Sequence, residues 1–181
     1  MLAPVRAQLN DKISDGYRFI NPPSKNVRDF TDKVVIYTTF FGNTLSIEQE
    51  HGIDTIRWEL AFTFTQTKER ANIKKGANLL LKLGNDEVIK LRSSTDNIYT
   101  FEVTTVSGVT VTNYTVSGLY PISEEDMEKV IRYGVLKLKA ETSLSPFEKS
   151  WKKDKVGSYY GEYYEQVKAA LSERKSFDDD F

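Results

Sequence analysis

The clearest pattern in the chain is an alternation of apolar and polar residues between Thr55 and Thr67. A period of two predicts a β-strand with one buried face, whereas a helix would place Trp58 and Leu60 on nearly opposed sides. We therefore expect Trp58 and Phe62 to be buried in the core, and a binding role for them is the less favoured interpretation. The alternating apolar residues are Ile56, Trp58, Leu60, Phe62 and Phe64.

Two shorter segments add strand signals before this one. Tyr17–Ile20 predicts a first short strand, and Asn21-Pro22-Pro23-Ser24 predicts a turn because proline cannot sit in a central strand. Val34–Phe41 is β-branched and aromatic on both faces, which indicates a strand covered on both sides or in contact with a partner. Gly42-Asn43 has the composition of a hairpin turn, and Thr44–Ile47 is the predicted returning strand.

Two hairpins are predicted further along the chain. Leu79–Leu83 and Val88–Arg92 flank Gly84-Asn85-Asp86, where loops of two, three or four residues all leave sensible pairings. Val106-Ser107-Gly108-Val109 has the form of a two-residue turn that pairs its first residue with its last. The register of the first hairpin therefore stays open, and that of the second is fixed.

The second hairpin is predicted to have one apolar and one polar face. Counting outward from its turn, Phe101 lies opposite Tyr114 and Tyr99 lies opposite Val116, with Val103 on the same side. Such a division predicts an antiparallel sheet that faces water on one side only. The polar face holds Glu102, Thr104, Asn113 and Thr115.

A first helix is predicted after Ser123, whose hydroxyl can cap the backbone amides of the first turn. Glu124, Glu125 and Asp126 would then lie at the positive end of the helix dipole. The same triplet invites a metal site, but a capped helix start explains all three acids, so no metal is predicted. Gly134 is the predicted left-handed cap at the other end.

The remaining elements are a strand and a second helix. Val135–Thr142 reads as a strand with Lys137 and Lys139 pointing outward. Gly157–Arg174 reads as a helix with an apolar stripe. Its four clustered tyrosines exceed one stripe, so at least one should be partly exposed. The stripe comprises Tyr160, Tyr164, Val167 and Leu171, and the tyrosines are Tyr159, Tyr160, Tyr163 and Tyr164.

These elements predict a single α+β domain over residues 1–181. A bent antiparallel sheet or incomplete β-barrel of about seven to nine strands would carry two C-terminal helices packed on it. Residues 1–15 are expected to be flexible or the remnant of a signal, and residues 176–181 to form a frayed acidic tail.

Composition narrows the classes of function. Of 181 residues, 39% are hydrophobic and 28% charged, and the net charge is -1, so any nucleic acid or membrane surface would need a local basic patch. No stretch approaches the ~18 apolar residues of a membrane helix, and no specific nucleic acid binding is expected. Without cysteine and with only His51, the chain offers no disulfide, thiolate site or multi-histidine metal site, and no cofactor is predicted.

The first residues bear on location. Val5-Arg6-Ala7 is close to the small-x-small pattern that precedes signal cleavage, although a basic region and a full apolar stretch are missing. We interpret it as the end of an export signal, with which the lack of cysteine is compatible. The alternative is a cytoplasmic protein whose first residues are frayed.

Catalytic residues are not predicted. His51 lies in a polar stretch that reads as a turn, and no nucleophile context such as Gly-x-Ser-x-Gly accompanies it. Two facing carboxylates would suffice for a hydrolase, but 26 acidic residues make any pairing arbitrary. An enzyme therefore remains the less favoured hypothesis.

One local constellation is a candidate ligand site. Lysines beside aromatic rings could hold a polyanion through charged contacts and stacking. They could equally form a linker in which Trp151 anchors the chain to the sheet while the lysines stay solvated. The site comprises Lys149, Trp151, Lys152, Lys153, Lys155 and Tyr159, and Tyr160 follows it.

The last third of the chain resembles uncharacterised exported proteins of Bacteroides-type bacteria. The resemblance rests on Tyr120-Pro121-Ile122-Ser123-Glu124-Glu125, on Gly134-Val135-Leu136-Lys137-Leu138 with Glu141-Thr142, and on Lys152-Lys153-Asp154-Lys155 before a Tyr-rich helix. These motifs correspond to a helix cap, an edge strand and a basic turn. The resemblance implies an envelope location and no catalytic residue.

The sequence thus favours a non-catalytic cell-envelope module, periplasmic or otherwise exported, that binds a protein or glycan partner. A carboxylate-dependent hydrolase is one alternative. The other is a lipocalin-like carrier of a small apolar ligand, since a curved sheet with a helix in its concavity can leave an apolar mouth.

Overall fold

A computed structural model describes residues 9–14, 17–21, 25–28, 34–44, 55–66, 71–96, 98–106, 108–154 and 156–172. The elements, in chain order, are β1 (Asn10–Ser14), β2 (Tyr17–Asn21), β3 (Lys25–Arg28), β4 (Val34–Thr44), β5 (Thr55–Gln66), β6 (Asn78–Leu83), β7 (Val88–Arg92), β8 (Ile98–Val106), β9 (Val109–Ile122), α1 (Glu124–Tyr133), β10 (Val135–Ala140), β11 (Phe147–Ser150) and α2 (Gly157–Ser172).

The strands form two antiparallel sheets. The large sheet has the order β1-β2-β4-β5-β9-β8, with β3 also paired to β4, and the small sheet has the order β11-β10-β6-β7. The predicted α+β class with antiparallel strands and two helices is confirmed. The expectation of one bent sheet or incomplete barrel is wrong, because β6 and β7 pair with β10 instead of joining β5 and β9. The strand count of seven to nine is not confirmed, since the described residues alone contain eleven strands.

The core lies where the two sheets face each other. Trp58 and Phe62, on the inward face of β5, are 6% and 2% exposed, so their predicted core role is confirmed. Phe64 of the large sheet stacks on Phe147 of the small sheet, with ring centroids 4.5 Å apart. Apolar alternation in β5 thus supplies one wall of the core and the small sheet supplies the other.

Helix α1 begins as predicted. The Ser123 hydroxyl accepts a hydrogen bond from the backbone N–H of Asp126 at 3.1 Å, and the acidic first turn follows it. Met127 and Val130 are buried. At the other end, Gly134 has φ 68° and ψ 168°. The positive φ agrees with the predicted cap, but the ψ value places Gly134 outside the left-handed helical region.

Helix α2 begins at Gly157 as predicted and is described to Ser172. The expectation that one of its four clustered tyrosines would be partly exposed is wrong, because all four are buried at 5–7% exposure. The helix contacts α1 and also β2 and β4 of the large sheet, so more than one of its sides is covered.

The two predicted hairpins form. The register of the first is now fixed: Lys82 pairs with Val88, and Asp86 adopts a φ of 69° in the connecting turn. In the second, Phe101 pairs with Tyr114 as predicted. Its apolar face is only partly buried, however, since Phe101 and Val103 are 64% and 56% exposed towards the tip.

Three further expectations concern the N-terminal part of the chain. The Gly42-Asn43 turn is wrong, because β4 continues through both residues, which pair with Arg57 and Ile56 of β5. Tyr17–Asn21 is the second strand and not the first, since residues 10–14, within the segment expected to be flexible, form β1 and pair with it. The possible signal at residues 5–7, His51 and the tail at residues 176–181 lie outside the described residues.

Neither helix in the described part of the chain has the length and apolar character that a membrane-spanning helix needs.

Candidate functional site

The predicted ligand site begins on an edge of the small sheet. Lys149 lies in β11, the edge strand, and Trp151 directly follows it. The backbone N–H of Trp151 donates to the carbonyl oxygen of Leu136 at 2.8 Å, which continues the pairing with β10 by one more residue. The Trp151 ring is half-buried and packs against the core. Trp151 therefore anchors the chain as it leaves the sheet.

Two adjacent lysines follow this anchor. Lys152 and Lys153 are both exposed, and among the described residues neither forms an ion pair within 4.0 Å. Lys155, also predicted to contribute, lies outside the described residues. The turn thus presents two positive charges to solvent.

Tyr159 lies apart from this surface. It is 6% exposed, and its ring contacts those of Tyr160 and Tyr163 at 5.4 Å each. Tyr159 lies in the first turn of α2 and belongs to the hydrophobic core. The exposed part of the predicted site is therefore the turn around Lys152 and Lys153, beside the half-buried Trp151.

Asp154 closes the turn on its other side. Its Oδ1 accepts hydrogen bonds from the backbone N–H groups of Val135 at 2.8 Å, Val156 at 3.1 Å and Gly157 at 2.9 Å. Its Oδ2 accepts from the N–H of Ser158 at 2.7 Å. Burial opposes the charged form, but these four donors together lower the pKa of Asp154 below its ordinary value. One carboxylate thus caps α2 and ties it to the start of β10.

The role of Asp154 was missed at the sequence level. A capping aspartate is expected directly before the first helical residue, a position that Val156 occupies, so Asp154 does not fit the usual local pattern. The bond to Val135 had no local signal either, because it joins residues 19 positions apart.

Glu124 and Glu128, both on α1, form a pair of carboxylates that contact the Tyr164 hydroxyl of α2. The Tyr164 hydroxyl lies 3.1 Å from Glu124 Oε1 and 3.0 Å from Glu128 Oε1, and Lys168 Nζ lies 2.7 Å from Glu124 Oε1. The hydrogen bond from Lys168 lowers the pKa of Glu124. Burial, followed by the bond to Glu128, raises the pKa of Tyr164 to about 12.

These contacts form a structural link between the two helices. The lowered pKa of Glu124 does not fit the general acid of a glycosidase, although the second carboxylate of such an enzyme is ionised. Tyr164 also packs against Trp58, with ring centroids 5.2 Å apart. The four polar side chains therefore join α1 to α2 above the large sheet.

No family model, curated protein or solved structure matches the chain. The resemblance to exported proteins of Bacteroides-type bacteria stays a prediction.

Proposed function

We propose that the protein is a non-catalytic binding module whose turn at Trp151, Lys152 and Lys153 holds a negatively charged protein or glycan partner. The observation that carries the proposal is the pair of adjacent exposed lysines without ion-pair partners among the described residues. Exposed cations that form no ion pair within the protein can attract a negatively charged group without first breaking such a pair.

Anchoring on both sides supports a binding role for this turn. Trp151 is bonded to Leu136 on one side, and Asp154 accepts four backbone N–H groups on the other. A turn fixed in this way loses little conformational entropy when a ligand binds, so more of the interaction energy becomes affinity. The anchoring and binding interpretations of Trp151 are therefore compatible.

An envelope location belongs to the same proposal. This part of the proposal rests on the small-x-small pattern of Val5-Arg6-Ala7 and on the absence of cysteine. Fractionation of cells followed by N-terminal sequencing tests it. Protein in the periplasmic or extracellular fraction that begins at or near Gln8 is the expected result, and intact Met1 in the cytosolic fraction would contradict it.

The binding role is tested with immobilised heparin, polyglutamate and neutral dextran. We expect retention on at least one anionic matrix and none on dextran. Lys152→Gln/Lys153→Gln should weaken that retention, while Lys74→Gln/Lys75→Gln, which removes two adjacent exposed lysines from another turn, should leave it unchanged. Equal retention of both double variants would refute a site at the turn.

Trp151→Ala separates anchoring from contact with the ligand. Removal of the half-buried ring should lower the free energy of unfolding by roughly 1–2 kcal/mol. Retention on the anionic matrix should fall as well, because the lysines lose their fixed position. A folded Trp151→Ala protein with unchanged retention would show that the ring serves the fold alone.

A further inference from the structure

The outer face of the small sheet carries a concentration of positive charge that the net charge of the chain conceals. Along β6 and β7, alternate residues are buried in the core and the others face solvent, and β10 follows the same alternation beyond an irregularity between Val135 and Lys137. The outward set includes five basic residues and one acidic residue, namely Lys82, Lys90, Arg92, Lys137, Lys139 and Glu148. We call the five basic residues the basic face.

Strand register places four of these cations in two adjacent rows and Arg92 in a third, opposite Asn78. Lys82 lies directly opposite Lys137, and the next row runs from Lys90 through Leu80 to Lys139. Neighbouring strands are ~4.8 Å apart, so the rows form a compact array. Leu80 lies between the charges of the second row and adds an apolar centre to the face.

The acidic groups at this face are already engaged. Glu148 bonds to Lys139 at 2.7 Å and to Lys137 at 3.0 Å, and these lysines lower its pKa to about 2. Asp86, in the turn beside the face, pairs with Lys82 at 2.7 Å. Glu141, at the opposite end, accepts hydrogen bonds from Asn78.

Lys90 and Arg92 complete the positive array. Both are exposed, and among the described residues neither has an ion-pair partner within 4.0 Å. The charge of Lys90 contributes to the lowered pKa of Glu141, but without an ion pair both cations can contact an external anion.

General roles of surface lysines do not explain this array. Lysines often protect the edge of a sheet from pairing with another chain, and Lys90 and Arg92 on β7 fit that role. Lys82, Lys137 and Lys139 are on the inner strands β6 and β10, where no edge needs protection. Two lysines directly opposite each other also destabilise a sheet, and the bonds of Lys82 to Asp86 and of Lys137 to Glu148 reduce that cost.

We propose that the basic face is the main ligand-binding surface and that its ligand is an acidic polysaccharide bearing sulfate or carboxylate groups. The inference rests on the proposed function, because β11 leads directly from this sheet into the turn at Lys152 and Lys153. Lys137 pairs with Ser150, the residue before Trp151, so the basic face and the turn are continuous.

The chemistry of the face favours a glycan over single-stranded nucleic acid. Proteins that hold single strands without sequence preference combine positive charge with aromatic rings on which bases stack. In the four strands of the small sheet, all of them described, Phe147 is the one aromatic residue, and it is buried. Sulfate and carboxylate groups need cationic donors and no stacking surface.

The test compares three double variants of the full chain that each remove two positive charges. Lys90→Gln/Arg92→Gln alters the basic face, Lys152→Gln/Lys153→Gln alters the turn, and Lys74→Gln/Lys75→Gln is the control. Thermal melts establish that each variant is folded. Binding of heparin is measured by calorimetry at several salt concentrations, with neutral dextran and a single-stranded oligothymidine as comparison ligands.

The basic-face variant should bind heparin roughly tenfold more weakly, with a shallower salt dependence, because fewer counterions are released. The control variant should match the parent. A basic-face variant that binds like the parent would overturn the inference, and so would tighter binding of oligothymidine than of heparin at equal salt. Loss of binding in the basic-face variant but not in the turn variant would refute the proposed site at the turn and leave the inference standing.

Discussion

The two helices begin in different ways, and the difference separates local from tertiary control of a helix start. At α1, the hydroxyl of the exposed Ser123 accepts one backbone hydrogen bond, from a residue three positions away. At α2, the half-buried Asp154 accepts four, and one of them comes from Val135 at the start of β10. The first cap stabilises its own helix, whereas the second also fixes where that helix lies.

Close packing reinforces the tertiary character of the α2 start. A Cβ added at Gly157 would lie 2.2 Å from the carbonyl oxygen of Val130 and 2.9 Å from the Cα of Gly134. Both of these are backbone atoms near the end of α1. The two helices therefore meet with no room for a side chain between them.

The largest effect is expected for Gly157→Ala. Its methyl group would push α2 away from α1, and we expect a loss of about 3 kcal/mol in unfolding free energy, at the upper end for overpacked sites. Urea denaturation measures it.

Gly161→Ala is the matched control for that change on the same helix. Among the described residues, its Cβ would meet only the Ile131 side chain, at 3.1 Å, and alanine favours a helix interior over glycine by about 1 kcal/mol. We expect Gly161→Ala to be close to neutral. Equal losses in the two variants would show that the contact at Gly157 has no special place in the packing.

Asp154→Ala should come next, with a loss of about 2 kcal/mol or slightly more. The change removes the cap and also leaves the partly buried N–H of Val135 without its acceptor. Asp154→Asn keeps one acceptor oxygen and should lose less. Hydrogen exchange at Val135 and Gly157 should rise together in the alanine variant, and protection retained at Val135 would contradict the tertiary role.

Ser123→Ala should cost about 1 kcal/mol, the usual value for a lost N-cap. Because the interaction is local, the faster hydrogen exchange should be confined to the first turn of α1. Spread of the effect to α2 or β10 would remove the contrast between the two helix starts.

The smallest effect concerns pH. The pKa of Asp154 is lowered in the folded protein, so its contribution to stability is complete above its ordinary pKa of 3.8 and is lost as the pH falls through the folded value. The stability difference between the parent and Asp154→Asn should therefore narrow below about pH 4. A difference that stays constant from pH 7 to pH 3 would contradict a charged cap.

The contrast also explains what the sequence could predict. The cap at Ser123, the hairpin around Gly108 and the alternation around Trp58 depend on residues close in sequence, and each was predicted correctly. The Gly42-Asn43 turn failed although it is local, because pairing with β5 holds both residues extended.

The remaining features depend on which remote elements meet. No local pattern shows that β6 lies beside β10, and this pairing creates both the small sheet and the row that contains Lys82 and Lys137. The burial of all four clustered tyrosines likewise follows from the contacts that α2 makes with α1 and with the large sheet. In the candidate site, the exposed lysines were predictable, but the anchor at Asp154 was not.

The contact between Trp58 and Tyr164 gives the protein an internal optical reporter. Trp58 is on β5 and Tyr164 on α2, so their 5.2 Å separation exists only while the helix is docked on the sheet. The chain contains two tryptophans, and Trp151→Ala leaves Trp58 as the single emitter. In that variant, a red shift of the emission would register undocking of α2 even where backbone circular dichroism stays unchanged.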